Sequence, residues 1–156
     1  MLTMESPSGA WDEVETKTFL TETTVPIRLS CHTPDGQLWM LSLWYALRNG
    51  TLHCATSKHA DVVRYLQADN RVAFEISTNE PPYMGVRGNG RATIEPDENK
   101  TQLRSLIERY LGDTDSALAA RLLNPEREEV AITITPHRLY TWDFSDRMAD
   151  VAAQQR

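Results

Sequence analysis

The residues best suited to chemistry lie in the run Ala55-Thr56-Ser57-Lys58-His59, where a strand pattern gives way to a helix pattern. The hydroxyls of Thr56 and Ser57, the side chains of Lys58 and His59 and the free N–H groups of a helix start make a phosphate cradle. Arg64, roughly one turn into the helix, adds a fork that can grip a phosphate through two hydrogen bonds. The same residues serve equally as a helix N-cap with solvated charges, the commoner use of Ser and Thr at such a place. Trp39, Trp44, Tyr45, Tyr83 and Trp142 offer the flat apolar walls that a heteroaromatic ligand needs. Each would also serve as core or interface filling.

Other arrangements are excluded by spacing. His32, His53, His59 and His137 form no zinc pattern. His53 and Cys54 are neighbours on a strand and point to opposite faces, which rules out a simple Cys–His pair. Ser42 lacks the glycine-flanked turn of a hydrolase nucleophile. The run Gly85-Val86-Arg87-Gly88-Asn89-Gly90 opens no helix and so is no dinucleotide fingerprint. Its glycines mark either a sharply curved barrel strand or the close approach of a ligand or backbone. Arg87 and Arg91 share a strand face and would meet solvent, a partner subunit or an anionic ligand. No catalytic side chain and no metal site is therefore expected.

The elements that must position these residues read mainly as strands. A short helix is expected over 15–24, then an alternating strand over 27–32 and a turn at Pro34-Asp35-Gly36. A long strand follows over 37–47, apolar on both faces and so covered on both, one by the barrel core and the other by a second subunit or a ligand. Arg48-Asn49-Gly50 is a hairpin turn, leading to a strand over 51–56, a helix over 60–68 with Val62, Val63 and Leu66 inward, and a strand over 71–77. A loop at Asn79-Glu80-Pro81-Pro82 precedes a strand over 83–94. Asp97 or Asn99 caps a helix carrying Leu103, Leu106, Ile107, Tyr110 and Leu111 on one side, with Gly112 at its end. A second helix spans 115–123. Strands over 130–134 and 139–144, joined by a turn at Pro136-His137, complete the pattern. The fold class is mainly β with α decorations, a six-stranded β-barrel of Greek-key type. Residues 1–14 read as a flexible arm, 15–146 as one domain and 147–156 as a polar tail.

Composition agrees with one ordinary globular domain: 156 residues, 40% hydrophobic and 24% charged. A net charge of -6 disfavours nucleic acid as a partner. No apolar run is long enough for a membrane span and the N-terminus has no secretory pattern. With only Cys31 and Cys54, a reducing compartment and hence the cytoplasm is expected.

The segment GQLWMLSLWYALRNGTLHCATSKHADVVRYLQADNRVAFEI followed by PPYMGVRGNGRATI resembles the pyridoxamine 5′-phosphate oxidase-like, FMN-binding split-barrel superfamily, and within it the flavin/deazaflavin oxidoreductase branch. The resemblance covers roughly residues 18–144. It implies a six-stranded split barrel and a homodimer with two cofactor sites at its interface. It implies FMN as cofactor, or the deazaflavin coenzyme F-420, with a small molecule as substrate. By the same resemblance Ser42, Leu43 and Trp44 line the ring, while Thr56, Ser57 and Lys58, with His59 and Arg64 nearby, meet the phosphate. Tyr83, Arg87 and Trp142 are contacts from the second subunit. One departure stands out. Where relatives carry a Ser-x-Lys or Arg-x-Lys grip, this chain has Ala60, Asp61 and Val62. The expected function is an FMN-dependent oxidoreductase. The alternatives are a deazaflavin-dependent reductase and a non-catalytic flavin or haem carrier.

Overall fold

The computed structural model describes residues 6–150. In chain order its elements are β1 (Ser8–Gly9), α1 (Glu13–Glu22), β2 (Ile27–His32), β3 (Leu38–Leu43), β4 (Ala46–Arg48), β5 (Thr51–Ser57), α2 (Asp61–Ala68), β6 (Arg71–Ser77), β7 (Met84–Pro96), α3 (Thr101–Leu111), α4 (Ala117–Leu122) and β8 (Glu129–Asp143). A 3-10 turn, Glu98–Lys100, leads into α3.

The strand order is β3-β2-β6-β7-β8-β5-β4, with β1 added in parallel to β8. The terminal strands of that order, β3 and β4, are consecutive in the chain and separated only by Trp44 and Tyr45. A sheet whose two ends are joined by two residues must curl round on itself, so the order itself dictates a barrel. The single strand expected over 37–47 is thus two pieces, one pairing β2 and the other β5. Dividing that strand and adding β1, while 130–134 and 139–144 run together as β8, leaves eight strands where a six-stranded barrel was expected.

The strands alternate as their sequences do. Ile27, Leu29 and Cys31 of β2 and Val72, Phe74 and Ile76 of β6 are buried in one core with Leu52, Cys54, Ile132 and Ile134. Val62, Val63, Tyr65 and Leu66 of α2 join it, with Tyr65 meeting Trp39 edge-on at 5.5 Å. Leu41 and Leu43 pack against this core, whereas Leu38 and Met40 are exposed. One face of β3 thus meets the barrel core, while the other, expected to meet a second subunit or a ligand, is uncovered within one chain.

Pro136-His137 is no turn. β8 runs unbroken, and His137 is the extra residue of a bulge where Asn89 faces Arg138 and Gly90 faces Pro136. The glycines of β7 are there for this crowding. A Cβ on Gly90 would lie 2.3 Å from the Thr135 carbonyl oxygen, and one on Gly88 would lie 2.2 Å from that of Arg138. Neighbouring strand, not ligand, fills the space beside them.

Part of the segment expected as a loose arm is tied down. Ser8 and Gly9 pair with Tyr140 and Thr141, and the indole of Trp11 donates to Asp143 at 3.2 Å. Asp12 caps α1, accepting from the Glu15 N–H at 2.8 Å while the Glu15 carboxylate takes the Asp12 N–H. Residues 1–5 of the arm and 151–156 of the polar tail lie outside the described residues. Cys31 and Cys54 are free and buried, and burial pushes the Cys54 thiol up to about 12.

Arg109 of α3 holds the break between β3 and β4. Its guanidinium donates to the carbonyls of Leu20, Thr21 and Thr23 at the end of α1 and to that of Tyr45 at 3.0 Å. Replacing Arg109 by Met leaves these carbonyls without donors, and a loss of about 3 kcal/mol is expected in urea unfolding. Gly88→Ala is expected to cost about 1–3 kcal/mol by overpacking. Unchanged midpoints for either variant would contradict the assigned contacts.

Candidate functional site

The strand break also makes a cleft. Trp44 lies flat on Tyr110 of α3, with ring centroids 5.1 Å apart and planes 10° from parallel. The Tyr110 hydroxyl accepts from the Tyr45 N–H at 3.2 Å and donates to the Val25 carbonyl at 3.1 Å. Asp97 caps the helix behind, its two carboxylate oxygens taking the N–H groups of Gln102 and Leu103 at 2.9 Å each. Ser116 caps α4 through the Ala119 N–H at 3.0 Å. Leu103, Ile107 and Ala119 then form a second small core over Trp44 and Ala55.

Between this helix pair and the barrel lies a cleft of about 480 Å³, lined by Ser42, Leu43, Trp44, Ala55 and Thr56 from the barrel and by Leu103, Leu106, Leu118 and Leu122 from the helices. Pro26, Arg127 and Glu129 complete it. The expected ring-lining residues Ser42, Leu43 and Trp44 thus meet the expected hydroxyl Thr56 in one place. The lining is mostly apolar with a few polar groups, as a flat heteroaromatic ligand requires. β3 ends the sheet order, so part of its backbone N–H and C=O groups has no ladder partner and is open to a ligand.

The rest of the expected phosphate grip is not gathered here. Lys58 pairs with Glu128 at 2.9 Å on the surface, and its ammonium holds the Glu128 carboxyl below the usual carboxylate range. Such exposed pairs hold weakly, but neither residue lines the cleft. Arg64 is directed to Asp61 at 3.5 Å and over the Tyr65 ring at 5.2 Å. The Ser57 hydroxyl accepts the His59 N–H at 3.2 Å, closing a local turn, and His59 is exposed. Ala60, at the start of α2, makes no side-chain cap. The walls therefore fit a flavin-type ring, whereas Lys58 and Arg64 do not converge on a phosphate.

Tyr83, Arg87 and Trp142 lie apart from the cleft. Arg87 sits over Tyr140 at 4.5 Å and Trp142 at 5.5 Å, and it lines a separate groove of about 500 Å³ on the outer sheet face with Arg28, Glu75 and Arg138. Tyr83 is exposed beside the start of β7.

Sequence reasoning missed Arg127 and Glu129, the only charged residues lining the cleft among those described. Glu129 is buried in β8, and its Oε1 takes the Arg127 Nε–H at 2.9 Å. A charged run Glu126-Arg127-Glu128-Glu129 reads as solvated surface. Only the alternation into Val130, Ile132 and Ile134 offers a signal, and by it Glu129 should face away from the barrel core.

No known family model and no curated protein matches the chain. Solved structures do. A conserved hypothetical protein of Mycobacterium tuberculosis superimposes with a TM-score of 0.70 at 25% identity, over 92% of this chain and 90% of that one. A protein described as an F420 reductase gives 0.60 at 24%, over 77% and 92%. A protein of Listeria innocua, described as a putative pyridoxamine 5′-phosphate oxidase, gives 0.61 at 17%, over 83% and 98%. The likeness is one of fold, and the fold of this chain is that of the pyridoxamine 5′-phosphate oxidase-like split-barrel superfamily.

Proposed function

We propose that this chain binds a flavin-type ring, FMN or the deazaflavin coenzyme F-420, in the cleft beneath α3 and α4, and acts as an oxidoreductase on a small molecule. The observation that carries the reading is the convergence of Ser42, Leu43 and Trp44 with Thr56 on one apolar cleft. The shared fold of flavin and deazaflavin proteins supports it. Such a ring supplies hydride transfer when bound. The chain supplies apolar walls that exclude water and a free strand edge to orient the ring.

The homodimer belongs to the same proposal. Leu38 and Met40 project from the outer face of β3, and Tyr140 is exposed on the same side of the sheet beside the Arg87 groove. A second copy on this face would cover them. Cytoplasmic location is proposed from the two free thiols. Among the described residues no helix is long and apolar enough to cross a membrane.

Titration of the purified protein with FMN and with coenzyme F-420, followed in the visible spectrum, is expected to show saturable binding of one of them. Leu118→Glu, which places a charge in the wall, is expected to weaken it about tenfold or more. Lys58→Ala is expected to leave affinity within about threefold, as for an exposed paired charge. Failure of both compounds to bind would contradict the reading. In light scattering, twice the chain mass is expected, falling to one chain mass on Met40→Glu. A single-chain mass for the unaltered protein would remove the dimer.

A further inference from the structure

We infer that the outer groove is the substrate's half of the site and takes a small organic carboxylate, held by Arg87 and Arg138 beside Arg28. This rests on the flavin-type reading above and adds to it the class of substrate.

The groove and the cleft meet at β3. Side chains directly opposite each other on neighbouring strands share one face and lie about 5 Å apart. Ser42, which lines the cleft, stands opposite Arg28, which lines the groove. Met40, also in the groove, is the next residue of β3 on that face, about 7 Å along from Ser42. Ser42 and Met40 are both exposed, so the two hollows open side by side onto one surface. A molecule in the groove can therefore extend past Ser42 to a ring in the cleft.

Small residues make the groove. Ser30 and Ala73 stand opposite each other on β2 and β6, and they leave the sheet face low between Met40 on one side and Asn89 and Arg138 on the other. The resulting hollow of about 500 Å³ is the size of a small-molecule site. The next row carries the charge. Arg28, Glu75, Arg87 and Tyr140 stand opposite one another across β2, β6, β7 and β8.

Three guanidinium groups and one carboxylate thus line the groove, in a chain whose net charge is -6. Glu75 lies between Arg28 and Arg87 but pairs with neither. Its carboxylate takes the Ser77 hydroxyl at 2.8 Å, while Arg28 donates to the Asn79 side chain at 2.9 Å. Arg87 and Arg138 are exposed, and among the described residues their side chains have no ion pair and no hydrogen bond. The Arg87 guanidinium is held over the Tyr140 ring, and that contact leaves its N–H groups without an acceptor. A single solvated arginine needs no ligand. Three in one hollow, with the carboxylate among them turned aside, leave an excess of positive charge that an anion offsets.

A carboxylate suits this arrangement. It is flat and its two oxygens match the arginine fork. Its single charge also meets less repulsion from Glu75 than a doubly charged phosphate does. A second copy of the chain on this face does not supply the anion, because it presents the same three arginines and one carboxylate.

The test compares 2-naphthoate with its neutral analogue 2-naphthamide by fluorescence titration of the full chain. Wild-type protein is expected to bind the carboxylate about tenfold or more tightly, the worth of hydrogen bonds to charged groups. Arg87→Gln and Arg138→Gln together are expected to bring the two compounds within about threefold. Arg104→Gln, which removes an exposed cation of α3, is expected to leave the ratio unchanged. On protein loaded with FMN, 2-naphthoate is expected to shift the visible band of the bound flavin without releasing it. Equal binding of the two compounds by the wild type overturns the inference and leaves the flavin reading standing. So does a preference that survives loss of both arginines, release of FMN by 2-naphthoate, or a flavin band that its binding leaves unchanged. Binding of neither FMN nor coenzyme F-420, with the preference for 2-naphthoate intact, removes the flavin reading and the substrate role with it. Should the double variant fail to fold, the wild-type comparison and the flavin band decide.

Discussion

Closure of the barrel depends on two residues. β3 and β4 stand at opposite ends of the strand order, yet only Trp44 and Tyr45 separate them. At such a break the backbone leaves its ladder, and its N–H and C=O groups need other partners. The Tyr45 N–H goes to the Tyr110 hydroxyl and its carbonyl to Arg109. Its own hydroxyl donates to the Leu20 carbonyl at 2.8 Å, and burial raises that hydroxyl's pKa far above the ordinary tyrosine range, keeping it a neutral donor. One tyrosine thereby joins the strand break, the end of α1 and the flank of α3.

The cleft follows from that closure. Tyr45 turns wholly into the core, so Trp44 faces outward onto Tyr110 and becomes a wall. α3 is held at one end by Asp97 and at the other by Arg109, which fixes the height at which Leu103 and Leu106 overhang β3 and β5. α4 lies beyond it and supplies the remaining apolar wall. The two charged residues that line the cleft, Arg127 and Glu129, come from just before and at the start of β8, opposite the end of β5. The second small core and the cleft wall therefore share side chains, Trp44 and Leu103.

Much of this was legible in the sequence because it is local. Alternation in 27–32 and 71–77, the Asn-Gly hairpin, the apolar spacing of α2 and α3 and the Asp97 cap all appear where periodicity and turn chemistry put them. What was hidden depends on partners far away in the chain. Nothing near Arg109 shows that its acceptors lie 64 to 89 residues earlier. The division of 37–47 could not be read from an unbroken apolar run, because each half obeys strand periodicity and only the pairing differs. Pro136 suggested a turn, but a bulge opposite Gly90 accommodates it. In the candidate site, Ser42, Leu43, Trp44 and Thr56, expected together, line one cleft. Lys58 and Arg64 are drawn to nearby Glu128 and Asp61, while Glu129, within a charged run, is buried, which no local pattern reveals.

The cleft between the barrel and α3–α4 is the proposed ligand site. A crystal structure of the chain soaked with FMN tests this most directly. Ring density against Trp44 and beneath Leu118 and Leu122 is predicted. Density instead in the outer groove beside Arg87 and Tyr140 would contradict it.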